Sequence, residues 1–239
     1  MIRYSRQRRM LVAVDCIIFG FDGQELKLLV IKRSFEPEKG RWSLMGGFVQ
    51  PEESSENAAF RVLKQLTGLE DVYMEQLYAF TGPHRDPLER TISIAYFSLI
   101  DINKYEKQIS TEYHPEWFPV KKIPALVFDH EMMVKMAKDK LRYKASHHPI
   151  LFELLAEKFT LPQLHNLYET VYETIIDKRN FSRKILTSGL LIRQKQKDKG
   201  FSKRGAYYYK IDKRTYQHKF DSFLNFAPTP ENKTNSIGV

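Results

Sequence analysis

Two apolar runs near the start of the chain, residues 10–21 and 26–33, are rich in β-branched side chains and are separated by Asp22-Gly23. That dipeptide suits a tight two-residue turn, so the pair predicts a β-hairpin. Residues 41–49 (RWSLMGGFV) read as another strand, ending in a Gly-Gly. The following PEESSENAAFRVLKQLTGL reads as a helix, with serines and acids at its start, Ala58, Leu63 and Leu66 inside, and Gly68 as its stop. Residues 72–81 and 91–100 are further strands, joined by the polar turn GPHRDPLER, and EWFP at 116–119 leads into a helix over about 130–144. Strands on both sides of one central helix imply an α+β or α/β sandwich in this half.

The rest of the chain has a different pattern. Residues 150–158 (ILFELLAEK) read as a short amphipathic helix. Thr160 is placed to cap a second helix over 161–175, where Leu164, Leu167, Tyr168 and Val171 recur at helical spacing. A third helix over about 180–188 stops at Gly189, with Phe181, Ile185 and Leu186 as its apolar set. Two strand-like runs, 190–193 and 206–211, bracket the basic loop KQKDKGFSKRG. Helix, helix–turn–helix and two-stranded ribbon is the order of a winged helix-turn-helix. The domain expectation is therefore residues 1–145, then 146–226, with 227–239 as a disordered tail.

Charge follows the same division. The net charge is +9, yet residues 1–141 hold 20 Lys/Arg against 20 Asp/Glu, and the excess lies wholly beyond them. A neutral domain followed by a basic one suggests a polyanionic partner. The lone Cys16 excludes a disulfide framework. Arg3 to Arg9 followed by an apolar run superficially resembles a signal peptide, but Asp15 interrupts it and no cleavage pattern follows. No stretch reaches the roughly 18 apolar residues of a membrane helix, so the expectation is a soluble cytoplasmic protein with no membrane partner.

Gly47, Glu53, Arg61, Leu63, Gly68 and Leu69 stand at the spacing of the Nudix box, Gly-x5-Glu-x7-Arg-Glu-U-x-Glu-Glu-x-Gly-U with U apolar. Residues 8–140 thus resemble a Nudix domain. In an active Nudix hydrolase, positions 62, 65 and 66 share a helix face and hold Mg²⁺ with carboxylates. This sequence has Val62, Gln65 and Leu66 there, so no metal, no cofactor and no catalytic residue is expected. The resemblance places a ligand cleft beside the helix, with Lys32, Arg33, Trp42, Gly46, Gly47, Phe48, Glu53, Arg61, Asp86 and Arg90 as its candidate contacts. Hydroxyls bonding to Arg, Asp and Glu, with an aromatic face for stacking, suit a sugar or nucleotide. Trp42 as core, and Asp86 and Arg90 as closures of their own turn, are the competing readings.

In the second half, Asn180, Ser182, Arg183, Lys184 and Thr187 offer small polar and cationic side chains to base edges and phosphates. Lys195, Lys197, Lys199, Lys203 and Arg204 lie in a stretch (193–204) with six Lys/Arg and one Asp, which suits DNA phosphates. A catalytically emptied Nudix domain joined to a winged helix is similar to the Nudix-related transcriptional regulators, the NrtR-like family, over about residues 8–225. The resemblance implies an α/β fold, a Nudix-like α/β/α sandwich followed by a C-terminal winged helix-turn-helix. It also implies a homodimeric repressor that releases a palindromic operator in duplex DNA when a small effector fills the cleft. Family effectors are ADP-ribose and, in an AraR-type branch, L-arabinose. The missing diphosphate-binding carboxylates turn the expectation toward the arabinose branch, with an ADP-ribose-responsive regulator and a divergent Nudix hydrolase as alternatives.

Overall fold

A computed structural model describes residues 7–200 and 205–212. The chain divides into two compact units, with the boundary between Lys140 and Leu141 and with Glu153–Ala156 belonging to the first.

The first unit is built on a mixed sheet. Strands β1 (Leu11–Phe21) and β2 (Leu26–Lys32) form the expected antiparallel hairpin, pairing Phe21 with Leu26 across Asp22-Gly23. The predicted strand over 41–49 is two strands, β3 (Trp42–Ser43) on β2 and β4 (Met45–Phe48) on β1. The break falls at Leu44, whose N–H turns out of the ladder and donates to His130 Nδ1 at 3.2 Å. Helix α1 (Ser55–Thr67) follows, then β5 (Tyr73–Phe80) and β6 (Thr91–Asp101). A short helix α2 (Ile102–Tyr105) and strand β7 (Glu116–Pro119) were not distinguished in the sequence; β7 extends the sheet by pairing with β2. The main strand order is β3-β2-β1-β6-β5, with β1 and β6 parallel. Helix α3 (His130–His147) runs beyond the predicted end near residue 144.

Burial on β1 explains why α1 docks where it does. Val14, Cys16 and Ile18 point to one face, where they pack with Ala58, Ala59, Val62 and Leu63 of α1 and with Met45. Burial pushes the Cys16 thiol well above its ordinary value, so it behaves as a small core residue. The helix is held at both ends: Ser54 accepts from the Asn57 N–H at 3.1 Å, and Gly68 closes it with a left-handed φ of 76°.

The predicted helix over 150–158 is a single 3-10 turn, Ile150–Leu154. Ile150, Leu151 and Leu154 are buried in that turn, and the chain then straightens so that Phe159 pairs with Tyr209. Strand β8 (Phe159–Thr160) leads into α4 (Leu161–Tyr172), which Thr160 and Gln163 start with a reciprocal capping box. Helix α5 (Lys178–Thr187) follows from its Asp177 cap. Tyr168 of α4 is fully buried, edge-on to Phe181 of α5 at 5.2 Å, and His165 meets the same ring at 5.1 Å. Strands β9 (Leu191–Asp198) and β10 (Ala206–Ile211) form a ribbon with β8 at its side, in the order β8-β10-β9. Residues 195–198, expected in the loop, therefore lie in a strand, and the expected tail 227–239 lies outside the described residues. Among the described residues no helix is long and apolar enough to cross a membrane.

A Cβ on Gly68 would stand 2.4 Å from the Gln108 carbonyl oxygen at a positive φ. Gly68→Ala is expected to lower unfolding free energy by roughly 1–3 kcal/mol, read from the urea midpoint at unchanged slope.

Candidate functional site

Beside α1 lies a cavity of about 360 Å³, bounded by β1, β2, β4, the 81–90 turn and the start of α3. The two consecutive glycines of β4 shape its base, one on each face of the strand. A Cβ on Gly46 would meet Asp15 Oδ1 at 2.5 Å, and one on Gly47 would meet Val62 Cγ2 at 2.7 Å. Glycine at 46 makes room for a buried carboxylate, and glycine at 47 lets α1 approach the strand.

That carboxylate anchors a polar network. Asp15 Oδ2 accepts from Ser93 Oγ at 2.6 Å and faces Arg85 Nη2 at 3.5 Å. Arg85 also grips Asp129 with two bonds, Nε to Oδ2 at 3.0 Å and Nη2 to Oδ1 at 2.8 Å. His130 takes the Leu44 N–H on Nδ1 and turns Nε2 toward Asp15 Oδ1 at 3.5 Å. Accepting on Nδ1 places the ring proton on Nε2 in the neutral form. Desolvation holds the His130 pKa below its ordinary value despite the neighbouring carboxylates, so the imidazole is neutral at pH 7.

The predicted ligand contacts divide on inspection. Lys32, Arg33, Gly46, Gly47, Phe48, Arg61 and Asp86 line the cavity, whereas Trp42, Glu53 and Arg90 are not among its lining residues. Trp42 packs edge-on against Phe118 at 5.0 Å and carries Lys32 Nζ over its ring at 4.8 Å. Arg90 donates to the carbonyls of Gly82 and Thr81, closing the turn it sits in. Asp86 faces the cavity while its Oδ1 accepts from the Leu88 N–H at 2.9 Å. Glu53 is clamped by Arg61, Nε to Oε2 at 2.9 Å and Nη2 to Oε1 at 2.5 Å, and Oε1 also takes the Gln50 N–H. The Arg61 bonds hold the Glu53 carboxyl down at about 2. Arg61 further donates to the Phe48 carbonyl, tying the box helix to β4. Val62, Gln65 and Leu66 all line the cavity, so the helix face that would carry carboxylates is apolar or neutral here.

Asp15, Asp129 and His130 were missed in the sequence, and Arg85 was read only as part of the RDPLER turn. Asp15 alone left a signal, as the single acid within an eleven-residue apolar strand.

The second unit presents its own candidate surface. Asn180, Arg183, Lys184 and Thr187 are exposed at i, i+3, i+4 and i+7, forming one stripe opposite the buried Phe181 and Ile185. Ser182 is half-buried, and Leu186 is 45% exposed because it lies about 100° round the helix from Ile185. Lys195 and Lys197 stand exposed on β9, with Lys199 just beyond it; Lys203 and Arg204 lie outside the described residues. Arg193 and Lys197 both rest on the Tyr207 ring, at 3.6 and 4.4 Å. These cations, Arg193 first, hold the Tyr207 hydroxyl below its ordinary value.

Residues 9–137 match the NUDIX domain family and residues 151–211 the family described as NrtR DNA-binding winged helix domain. Over 220 residues, 90% of this chain and 88% of the relative, the sequence is 31% identical to the ADPR responsive transcriptional repressor NtrR of Acinetobacter baylyi. The chain belongs to the NrtR-like family. Shewanella oneidensis NrtR, solved with a 27mer DNA, matches at a TM-score of 0.76 and 29% identity, over 86% of this chain and 95% of that one. The NUDIX domain of the same NrtR, solved with ADP ribose, matches at 0.51 and 30% identity, over 59% of this chain and 94% of that one. The expected Nudix-like sandwich followed by a winged helix is thus the fold of this NrtR-like chain. The arabinose branch finds no support among these relatives, whose names point to ADP-ribose instead.

In this NrtR-like cleft Arg85 bridges two largely buried carboxylates, Asp15 and Asp129, its own side chain being 7% exposed. Arg85→Ala leaves both charges without it and is expected to lower stability by about 3–5 kcal/mol in denaturant titration.

Proposed function

We propose that this chain is a transcriptional repressor that binds palindromic operator DNA through its winged helix and senses ADP-ribose in a non-catalytic Nudix cleft. The observation that carries this reading is one chain holding both a Nudix cavity with Val62, Gln65 and Leu66 at the metal positions and an exposed basic winged helix. The repressor NtrR and the NrtR solved with DNA, similar to this chain over most of its length, support it.

The cavity favours ADP-ribose over L-arabinose on chemical grounds. Lys32 and Arg33 line it, and a neutral pentose offers them no charge. Phe35, Phe48, Tyr113 and Phe128 also line it, with Phe35 and Phe48 more than half exposed, which suits stacking by a base. Asp86 lines the cavity as well, and beside the Leu88 N–H its carboxylate keeps acceptor capacity for a ribose hydroxyl. A homodimer would set two α5 helices on successive major grooves about 34 Å apart. Ligand releases DNA if it binds the DNA-incompetent arrangement more tightly, since only such a difference shifts the equilibrium.

Gel shift with a promoter fragment is expected to show DNA release by ADP-ribose and none by L-arabinose. Release by arabinose alone would reverse the effector assignment, and failure to bind any duplex would end the regulator reading. With ADP-ribose and Mg²⁺ no phosphate-containing product is expected. On the DNA side, Arg183→Ala or Lys184→Ala should cost about 1–3 kcal/mol on operator and less on random duplex. Lys197→Ala with Lys199→Ala should weaken both and reduce the salt slope by about 2.

A further inference from the structure

The Nudix fold implies a divalent cation against the face of its box helix, and the donor set of this cleft does not fit one. Magnesium needs hard oxygen ligands in octahedral geometry, supplied by at least one or two carboxylates together with water and substrate phosphates. On α1 the three positions are Val62, Gln65 and Leu66; Val62 is 2% exposed and fills the space beside Gly47. The remaining box acid, Glu53, has Oε2 on Arg61 and Oε1 shared between Arg61 and the Gln50 N–H. Of the other cavity carboxylates, Asp15 is committed to Ser93 and Arg85, and Asp86 accepts the Leu88 N–H. Among the described residues no group of three or more His, Cys, Asp or Glu comes together that could hold a metal ion.

The cleft has another source of positive charge. Arg61 and Arg85 are matched by Glu53 and Asp129. Lys32 at the end of β2 and Arg33 just past it bond no carboxylate as closely, although Asp15, Asp86, Glu38 and Glu36 act on Arg33 from a distance; they are held in place by different means. Lys32 Nζ lies over the Trp42 ring. Arg33 Nε donates to the Pro37 carbonyl at 2.8 Å, and its Cζ lies 4.5 Å from the Phe35 ring and 5.1 Å from that of Phe128. A guanidinium fixed by one nitrogen and two rings is pre-organised, and little side-chain freedom is lost when an anion meets it.

We propose that this cleft binds the diphosphate of its effector without a divalent cation, with Lys32 and Arg33 supplying the charge that Mg²⁺ supplies in a hydrolytic Nudix site. The inference rests on the ADP-ribose reading above and specifies how that ligand is recognised. On this reading the cleft would hold a diphosphate intact, because its donor set does not fit the metal that would activate water or stabilise a leaving phosphate.

Calorimetric titration of the full chain with ADP-ribose, in chelator and in Mg²⁺, tests it. The dissociation constant is expected to agree within about threefold between the two buffers, because no coordination bond is gained or lost. Lys32→Ala and Arg33→Lys, at an exposed and a half-buried position, are expected to weaken binding by about 10–100-fold in both buffers, as the loss of a charge-assisted or bidentate contact does. Binding seen only with Mg²⁺, or more than about tenfold tighter with it, overturns the proposal while leaving ADP-ribose as effector. Unchanged affinity in both variants overturns it as well, since the diphosphate would then lie elsewhere. Absence of binding in both buffers removes the ADP-ribose reading, and the proposal falls with it.

Discussion

A carboxylate set into the middle of an apolar strand organises the first unit. Burying Asp15 is costly unless it is hydrogen-bonded and faced by a cation, and the chain brings partners to it from three separate places. Ser93 reaches it from β6, Arg85 from the 81–90 turn, and His130 from the start of α3. Each partner is thereby fixed relative to β1, and Arg85 extends the hold to Asp129. The base of the cleft is therefore rigid for an electrostatic reason, and the cleft's wall and the sheet's core share one anchor. The neutral state of His130 belongs to the same balance: the imidazole takes a backbone proton on one side and offers its own to the carboxylate on the other.

How much of this was legible in the sequence depends on distance along the chain. The β1–β2 hairpin, the box helix and its Gly68 stop were readable because their signals are local: a turn dipeptide, a cap and a periodicity. The Glu53–Arg61 pair is local in the same sense, since eight residues separate the partners and Arg61 on the box helix reaches back to Glu53 just before it. The Asp15–Arg85 and Asp129–Arg85 contacts span 70 and 44 residues. No local pattern encodes such pairings, so Arg85 read only as part of a turn, while Arg90, five residues on, was the candidate contact and closes that turn instead. Trp42 shows the same limit from the other side: its residue type suits a stacking ligand, but its register on β3 directs it to Phe118.

In the second unit the errors have a different origin. Residues 150–158 carry an amphipathic pattern that fits a helix, yet only one turn of it is buried before Phe159 is drawn into the ribbon. On β9 the exposed side chains alternate Lys with Gln rather than polar with apolar, so the period of two that marks a half-buried strand is invisible. A solvated strand reads as a loop. Its residues were correctly read as basic and exposed, and only their secondary structure was misjudged.

The stacking of Arg193 and Lys197 on Tyr207 has a kinetic and entropic meaning beyond charge. Long cationic side chains on a protein surface sample many rotamers, and each one immobilised at an interface costs on the order of 0.5–1.5 kcal/mol. Here two of them are already drawn to one ring across the ribbon. The wing thus meets a polyanion with part of its ordering already done, so less of the electrostatic attraction is spent on freezing side chains and more of it appears as residence time.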